Sequence, residues 1–349
     1  MSAFLFDNPI VSQDLAGLVR EIDWSFLQGK TVFVTGANGH IASYLTYALC
    51  KARQLGKLNC RIIVNSRNRQ KLDELYGPFI DSVDFLIIEG DISSLPQIDD
   101  HIDYIFHFAG NASPYFIKND PIGILKANID GTFNVAELAA RSNGCKVVYA
   151  STREVYGDYR EGDSLNEESF GFLDPLSPRS CYPESKRAAE AVLEAYHLQK
   201  GIQYGIARIA HCYGPGMKLG NDGRIMSDLL NDAVSGHDLV LNSDGSALRS
   251  FCYITDAIKG LLLIAKQSSS DVFNLSNESE EISILGLAKY ISGLTPGTKV
   301  VTKEKPTDKS VYCNYKRKPL DCTKLMELGW TPSIGIKEGV SRTLESFRK

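Results

Sequence analysis

Apolar positions along the chain fall into two alternating patterns. Short runs rich in β-branched and aromatic residues recur at Thr31–Thr35, Arg61–Val64, Phe85–Ile88, Tyr104–Phe108, Lys146–Ala150 and Tyr204–Ile209. Each is bounded by turn-forming residues and reads as a buried strand. Apolar residues at helical spacing lie between several of them. One such stretch runs from Ile41 to about Ala52. A second starts at Asp120-Pro121, a capping residue before a first-position proline, and reaches about Ser142. A third starts at Pro183 and continues through Ala188, Ala189, Val192 and Leu193 to about Gln199. This alternation predicts an α/β domain with a doubly wound parallel sheet and helices on both faces.

The same patterning divides the chain. Residues 1–29 form an N-terminal extension whose Leu15, Leu18, Val19, Ile22, Trp24 and Leu27 make an apolar stripe, expected against the sheet edge or a partner subunit. Residues 30–210 carry the sheet. Beyond Tyr213 the alternation loosens, so residues 211–349 read as a smaller C-terminal α/β lobe. Segments within about 238–266, namely 238–241 and 253–266, are expected to return to the sheet.

The first strand runs straight into Gly36-Ala37-Asn38-Gly39-His40-Ile41-Ala42. Glycines here allow a tight turn and close approach to a pyrophosphate, which the following helix N-terminus stabilises. Strand, glycine turn and helix in this order predict a Rossmann-type site for a dinucleotide, NAD(P). The second strand ends Asn65-Ser66-Arg67, with no carboxylate to take the ribose hydroxyls. Arg67 suits a 2′-phosphate, an adenine face or plain solvent, which leaves NAD and NADP both open. Asp91 and Ile92 follow the third strand, where adenine is expected. Ala109 ends the fourth beside the cofactor path.

Residues 182–186 read Tyr-Pro-Glu-Ser-Lys, and four residues on a helix separate two side chains of one face. Lys186 is therefore expected to favour a Tyr182 phenolate. Unit charges about 4 Å apart at an effective dielectric near 20 interact by about 4 kcal/mol. A phenolate of this kind removes the proton from an alcohol whose carbon gives up hydride.

Composition narrows the field. The 349 residues are 43% hydrophobic and 23% charged with a net charge of -4, which offers no basic field for nucleic acid or an anionic membrane. No apolar run approaches the roughly 18 residues of a membrane helix. The start, MSAFLFDNPIVSQDLAG, has no basic region ahead of a long apolar core and does not read as a signal peptide. Eight scattered cysteines, none in a Cys-x-x-Cys pair, suit reduced thiols and a cytoplasmic protein. The six histidines show no metal-ligand spacing, so no metal is expected.

With these residues in hand the chain resembles the extended short-chain dehydrogenase/reductases that modify nucleotide sugars, over roughly residues 30–265. It is most similar to the UDP-glucuronate decarboxylases (UDP-xylose synthases). The stretches that carry the resemblance are ASTREVYGD (150–158), DPLSPRSCYPESKRAAE (174–190), RIAHCYGPGM (208–217) with NDGR (221–224), and DGSALRSFCYITDAIKGL (244–261). The resemblance implies Tyr182 as the base at sugar O4, Lys186 as its partner and holder of the nicotinamide ribose, Thr152 as a ligand of O4, and Glu154 acting near C5. It also implies Arg249 at the diphosphate or sugar carboxylate, and Arg179 and Arg224 as further anion contacts. A homodimer through helices at about 121–142 and 183–199 is implied as well, with Ile122, Ile124, Ile129 and Phe133 exceeding one buried stripe.

Besides Asn65-Ser66-Arg67, two positions depart from the family pattern. Arg153 stands where dehydratases carry an aspartate and decarboxylases a serine. A guanidinium cannot donate a proton to a departing hydroxyl, though it can hold a uronate carboxylate. His211 replaces an asparagine that contacts the substrate diphosphate. Decarboxylation of a nucleoside-diphosphate uronate is thus the leading expectation, with 4-epimerisation, 4,6-dehydration and an inactive NAD(P)-sensing module as alternatives.

Overall fold

A computed structural model describes residues 4–220, 223–303 and 317–348. Asn221 and Asp222 of the NDGR stretch, and Cys313, lie outside the described residues. Seven parallel strands form the central sheet: β1 (Lys30–Thr35), β2 (Cys60–Ser66), β3 (Phe85–Glu89), β4 (Tyr104–His107), β5 (Lys146–Thr152), β6 (Gln203–Ile209) and β7 (Asp271–Leu275). Their order is β7-β6-β5-β4-β1-β2-β3. β1 is paired on both sides, Val32 standing opposite Ile62 on β2 and Tyr104 on β4. The strand order reverses between β1 and β4, and in such sheets ligands bind in the crevice beyond the strand carboxyl ends at that switch.

Residues of a central strand alternate between two buried layers, which is why its apolar run is continuous. Val32 and Val34 face the layer that includes Tyr44, Leu45 and Ala48 of α2 (His40–Gln54). Phe33 faces the other, with Val135 and Leu138 of α5 (Pro121–Arg141) and Leu193 of α6 (Cys181–Lys200). Two short helices, α3 (Arg69–Tyr76) and α4 (Pro114–Asn119), complete the nucleotide half with α1 (Pro9–Glu21).

The first helix of the extension docks on helices of this chain. Asn8 caps α1 by accepting from the Ile10 amide at 3.0 Å, and Val11, Leu15, Leu18 and Val19 are buried. The helix lies on other helices, not on a sheet edge: α2, α8 (Ile254–Lys266) and α11 (Ile336–Phe347). Buried Asp14 joins these elements, accepting from Tyr253 (2.5 Å) and Tyr44 (3.3 Å) hydroxyls and pairing with Arg342 (2.5 Å).

The expected returns to the sheet also need correction. Leu239–Leu241 pairs with Val300–Thr302 in a separate ladder, and residues 254–266 return as helix α8 packed on β5 and β6. The strand that does return is β7, beside β6. Helices α7 (Ile225–Val234), α9 (Ile284–Leu294) and α10 (Thr323–Met326) follow in the C-terminal part. Its two further ladders pair Leu248–Arg249 with Ile282–Ser283, and Cys212–Tyr213 with Cys252–Tyr253.

Candidate active site

The carboxyl ends of β1, β4 and β5 bring the predicted residues together. Gly36 turns the chain out of β1 at φ 64°, and a Cβ there would meet the Ala109 Cα at 2.8 Å, so β4 and the turn touch through bare backbone. Gly39 caps α2 without a side-chain hydrogen bond, and Asn38 and Gly39 are exposed. The amides opening the helix are thus free of side-chain caps at a positive dipole end, which fits a pyrophosphate. His40 donates from Nε2 to the Pro215 carbonyl at 3.0 Å, tying the turn to the lobe; burial, partly opposed by that bond, takes its pKa down to about 4. Ile41 follows in the first turn of α2.

The adenine-side expectations fare unevenly. Arg67 is exposed and pairs with Asp91 at 3.4 Å, while Asp91 also caps the next turn through the Ser93 amide. Ser66 is buried and its hydroxyl accepts from the Asn68 amide at 3.5 Å. Ile92 turns its side chain into the core against Gly131, and its carbonyl accepts from Asn134. The Ile92 side chain thus has a packing role.

Beneath the turn runs a buried hydrogen-bond chain. Thr35 Oγ1 accepts from the Phe108 and Ala109 amides, so its proton goes to His107 Nδ1 at 2.8 Å. His107 then donates from Nε2 to Thr132 (3.2 Å), whose hydroxyl donates to the Asn128 carbonyl (2.5 Å). Asn128 Nδ2 reaches Ser185 Oγ at 3.0 Å, and Ser185 donates to the Tyr182 carbonyl at 2.9 Å. Burial and the Lys186 charge push the His107 pKa down to about 3, which keeps it neutral. The sequence did not reveal this chain, because its members come from four separate elements, β1, β4, α5 and α6.

Tyr182 and Lys186 are both buried on α6, next to the end of β5. Lys186 Nζ donates to the Ala150 carbonyl at 2.8 Å and lies 4.6 Å from the Tyr149 ring centre. Burial lowers its pKa to about 7. The expected lowering of the Tyr182 pKa is not what the protein produces. Burial raises it, Glu154 raises it further, and only the Thr152 hydroxyl and Arg179 act downward. Burial is the largest of these causes, and the Lys186 ammonium is bonded to the strand carbonyl.

Thr152 ends β5 and accepts from the Glu154 amide at 3.3 Å. Glu154 is held by Arg179 at 2.5 Å, both side chains largely covered. Arg153 donates to the Lys318 carbonyl at 3.2 Å. His211 follows β6 at φ 46°, the one non-glycine in the left-handed region among the described residues. The covering protein, then the charges of Arg153, Arg317 and Arg249, hold its imidazole well below the usual range. Arg224 stands at the N-cap of α7, and its charge reaches His40. Arg317 was not anticipated. It is fixed by Glu278 (2.8 Å) and Glu281 (2.9 Å), and nothing local in its sequence marks it. Among the described residues no group of His, Cys, Asp and Glu gathers to hold a metal, and no helix is long and apolar enough to cross a membrane.

Comparison with known proteins places this geometry. A model of the NAD dependent epimerase/dehydratase family matches residues 32–276. UDP-glucuronic acid decarboxylase 6 of Arabidopsis thaliana is 33% identical over 325 residues, covering 93% of this chain and 90% of its own. UDP-glucuronic acid decarboxylase 1 of Xenopus tropicalis is 33% identical over 321 residues, 92% of this chain and 72% of its own. A UDP-N-acetylglucosamine 4-epimerase from Methanobrevibacter ruminantium M1, solved with UDP-N-acetylmuramic acid, superposes with TM-score 0.78 at 23% identity, covering 92% and 98% of the two chains. The UDP-glucose 4-epimerase of Thermotoga maritima gives 0.75 at 24% identity, covering 91% and 98%. These two structures speak for the fold alone. The family match runs from β1 to the end of β7, so the chain belongs to the NAD dependent epimerase/dehydratase family and is an NAD-dependent enzyme of nucleotide-sugar modification.

Proposed function

We propose that the protein decarboxylates a nucleoside-diphosphate uronate resembling UDP-glucuronate, with NAD as its resident cofactor. The observation that carries the acidic sugar is the gathering of Arg153, Arg249 and Arg317 about His211, beside Thr152 and Glu154. Relatives named UDP-glucuronic acid decarboxylases over more than nine-tenths of the chain support the same reading. Gly36, Gly39, His40 and Ile41 at the α2 N-terminus would hold the pyrophosphate, with Lys186 at the nicotinamide ribose. Arg67 already pairs with Asp91, which favours a free ribose hydroxyl over a 2′-phosphate. Bound there, NAD would take the hydride from sugar C4 and give it back after CO₂ has left and C5 has gained a proton, so that it is not consumed.

Tyr182 takes the O4 proton, and the Thr152 hydroxyl steadies that oxygen. Tyr182 enters this step as its phenolate, a form that burial disfavours and a nearby Lys186 ammonium favours, and leaves it as the neutral phenol once it holds the O4 proton. A C4 ketone stands β to the C5 carboxylate, so the electron pair left by departing CO₂ is taken up at O4, the atom these residues face. Arg153 orients the carboxylate. Tight ground-state binding alone would not speed its loss, so the ketone supplies the acceleration.

A second reading, 4-epimerisation, draws on Glu154. Its carboxylate is neutralised by Arg179, and epimerisation requires no base at C5. Dehydration is disfavoured by Arg153, which offers no proton. Incubation with UDP-glucuronate and UDP-glucose, followed by CO₂ release and proton NMR of the sugar, separates the three. Release of CO₂ with a pentose product is expected; a C4-inverted uronate with no CO₂ would replace this reading by the second. Tyr182→Phe should lower turnover by about a hundredfold to ten-thousandfold with substrate binding retained.

A further inference from the structure

Tyr182, Lys186 and Glu190 follow at four-residue intervals on one face of α6, and each meets the last three residues of β5. Tyr182 feels the Thr152 hydroxyl, Lys186 binds the Ala150 carbonyl, and Ser151 Oγ donates to Glu190 Oε1 at 2.5 Å. Arg208, opposite Ser151 on β6, grips the same carboxylate through Nε (3.2 Å) and Nη2 (2.7 Å). Arg208 is itself fixed, donating to the Glu167 carbonyl at 2.9 Å and lying 4.8 Å from the Tyr156 ring centre. A carboxylate and a guanidinium this deeply covered are costly to bury, which the double contact offsets.

We propose that Glu190 is a positioning residue of the catalytic pair: clamped by Arg208 and Ser151, it holds α6 in register with the end of β5 and fixes a negative charge one turn from Lys186. The inference rests on reading Tyr182 and Lys186 as that pair. The groups facing Lys186 are the Tyr149 ring and Ala150 carbonyl from β5, neutral His107 from β4, and Tyr182 and Glu190 from α6. Burial favours the neutral amine, and Glu190 is the charge that opposes it. Ser151 and Arg208 take up the Glu190 carboxylate, while Lys186 gives one ammonium proton to the Ala150 carbonyl and has two others for the phenolate.

The sign follows. Lys186 loses its proton as pH rises through about 7, and loss of the Glu190 charge moves that event lower. The test is carbon NMR of protein labelled at lysine Cε, with the Lys186 resonance identified by its disappearance in Lys186→Arg. Glu190→Gln should lower the Lys186 midpoint by about one unit, and Ser151→Ala, which keeps the charge, should leave it in place. Glu190→Gln strands Arg208, so Glu190→Gln with Arg208→Met is made alongside and should show a fall in the same direction but smaller, since a positive charge leaves too. An unchanged midpoint in the charge-removing variants overturns the assignment. In any sugar-nucleotide assay the alkaline limb of kcat should move with the midpoint, about tenfold lower near pH 8, where a purely structural loss would be uniform across pH. The NMR arm needs no substrate, so a protein inert towards every uronate yet showing the shift would keep this inference and remove the proposed reaction.

Discussion

Arg153 lies between Thr152 and Glu154 in the chain, and its charge reaches His211. Replacing it by serine should raise KM for UDP-glucuronate by about tenfold to a hundredfold, the worth of one hydrogen bond to a charged group. KM for UDP-glucose should barely move, and equal losses on both sugars in steady-state assays would refute a carboxylate contact. At this scale the sequence was legible wherever a signal was local. The glycine turn and the Tyr182–Lys186 spacing each occupy a few consecutive residues. The orientation of Lys186 was not legible, since the Ala150 carbonyl that captures it arrives from another element. Arg317 escaped for the same reason, standing more than a hundred residues beyond His211 in sequence.

Among elements, most strands found in advance are buried on both faces, because such strands read as unbroken apolar runs; β3, at the sheet edge with Leu86 exposed, shows the apolar run without that burial. β7 was missed because its run contains polar residues. Asn274 is fully buried there, spending its side chain on the Leu165 and Asp321 carbonyls and the Tyr156 hydroxyl. Leu239–Leu241 has the expected pattern and forms a strand, yet pairs away from the sheet, since local pattern does not name a partner. The docking of α1 yields a prediction of its own. Asp14→Ala leaves two tyrosine hydroxyls and Arg342 without their acceptor, and should cost about 3 kcal/mol of stability. Denaturant unfolding measures this, and a loss under about 1 kcal/mol would show the cluster to be incidental.

For the molecule as a whole, α5 and α6 lie side by side and keep large apolar groups outside: Ile122 and Phe133 on one, Leu198 on the other. Ile124, expected among them, instead packs inward with Ile117 and Tyr182. Two copies meeting on this face would cover the exposed groups. Ile122→Glu with Phe133→Glu should then halve the mass seen in sedimentation equilibrium, whereas a parent protein already sedimenting as one chain would rule the dimer out. The buried Asp14 cluster has a reach beyond its own helix. Tyr253, which it fixes, pairs with Tyr213 in the ladder that begins one residue after His211. Trimming the chain ahead of the sheet should accordingly be felt both around His211 and at α2: the leading helix works as a buttress for the two of them.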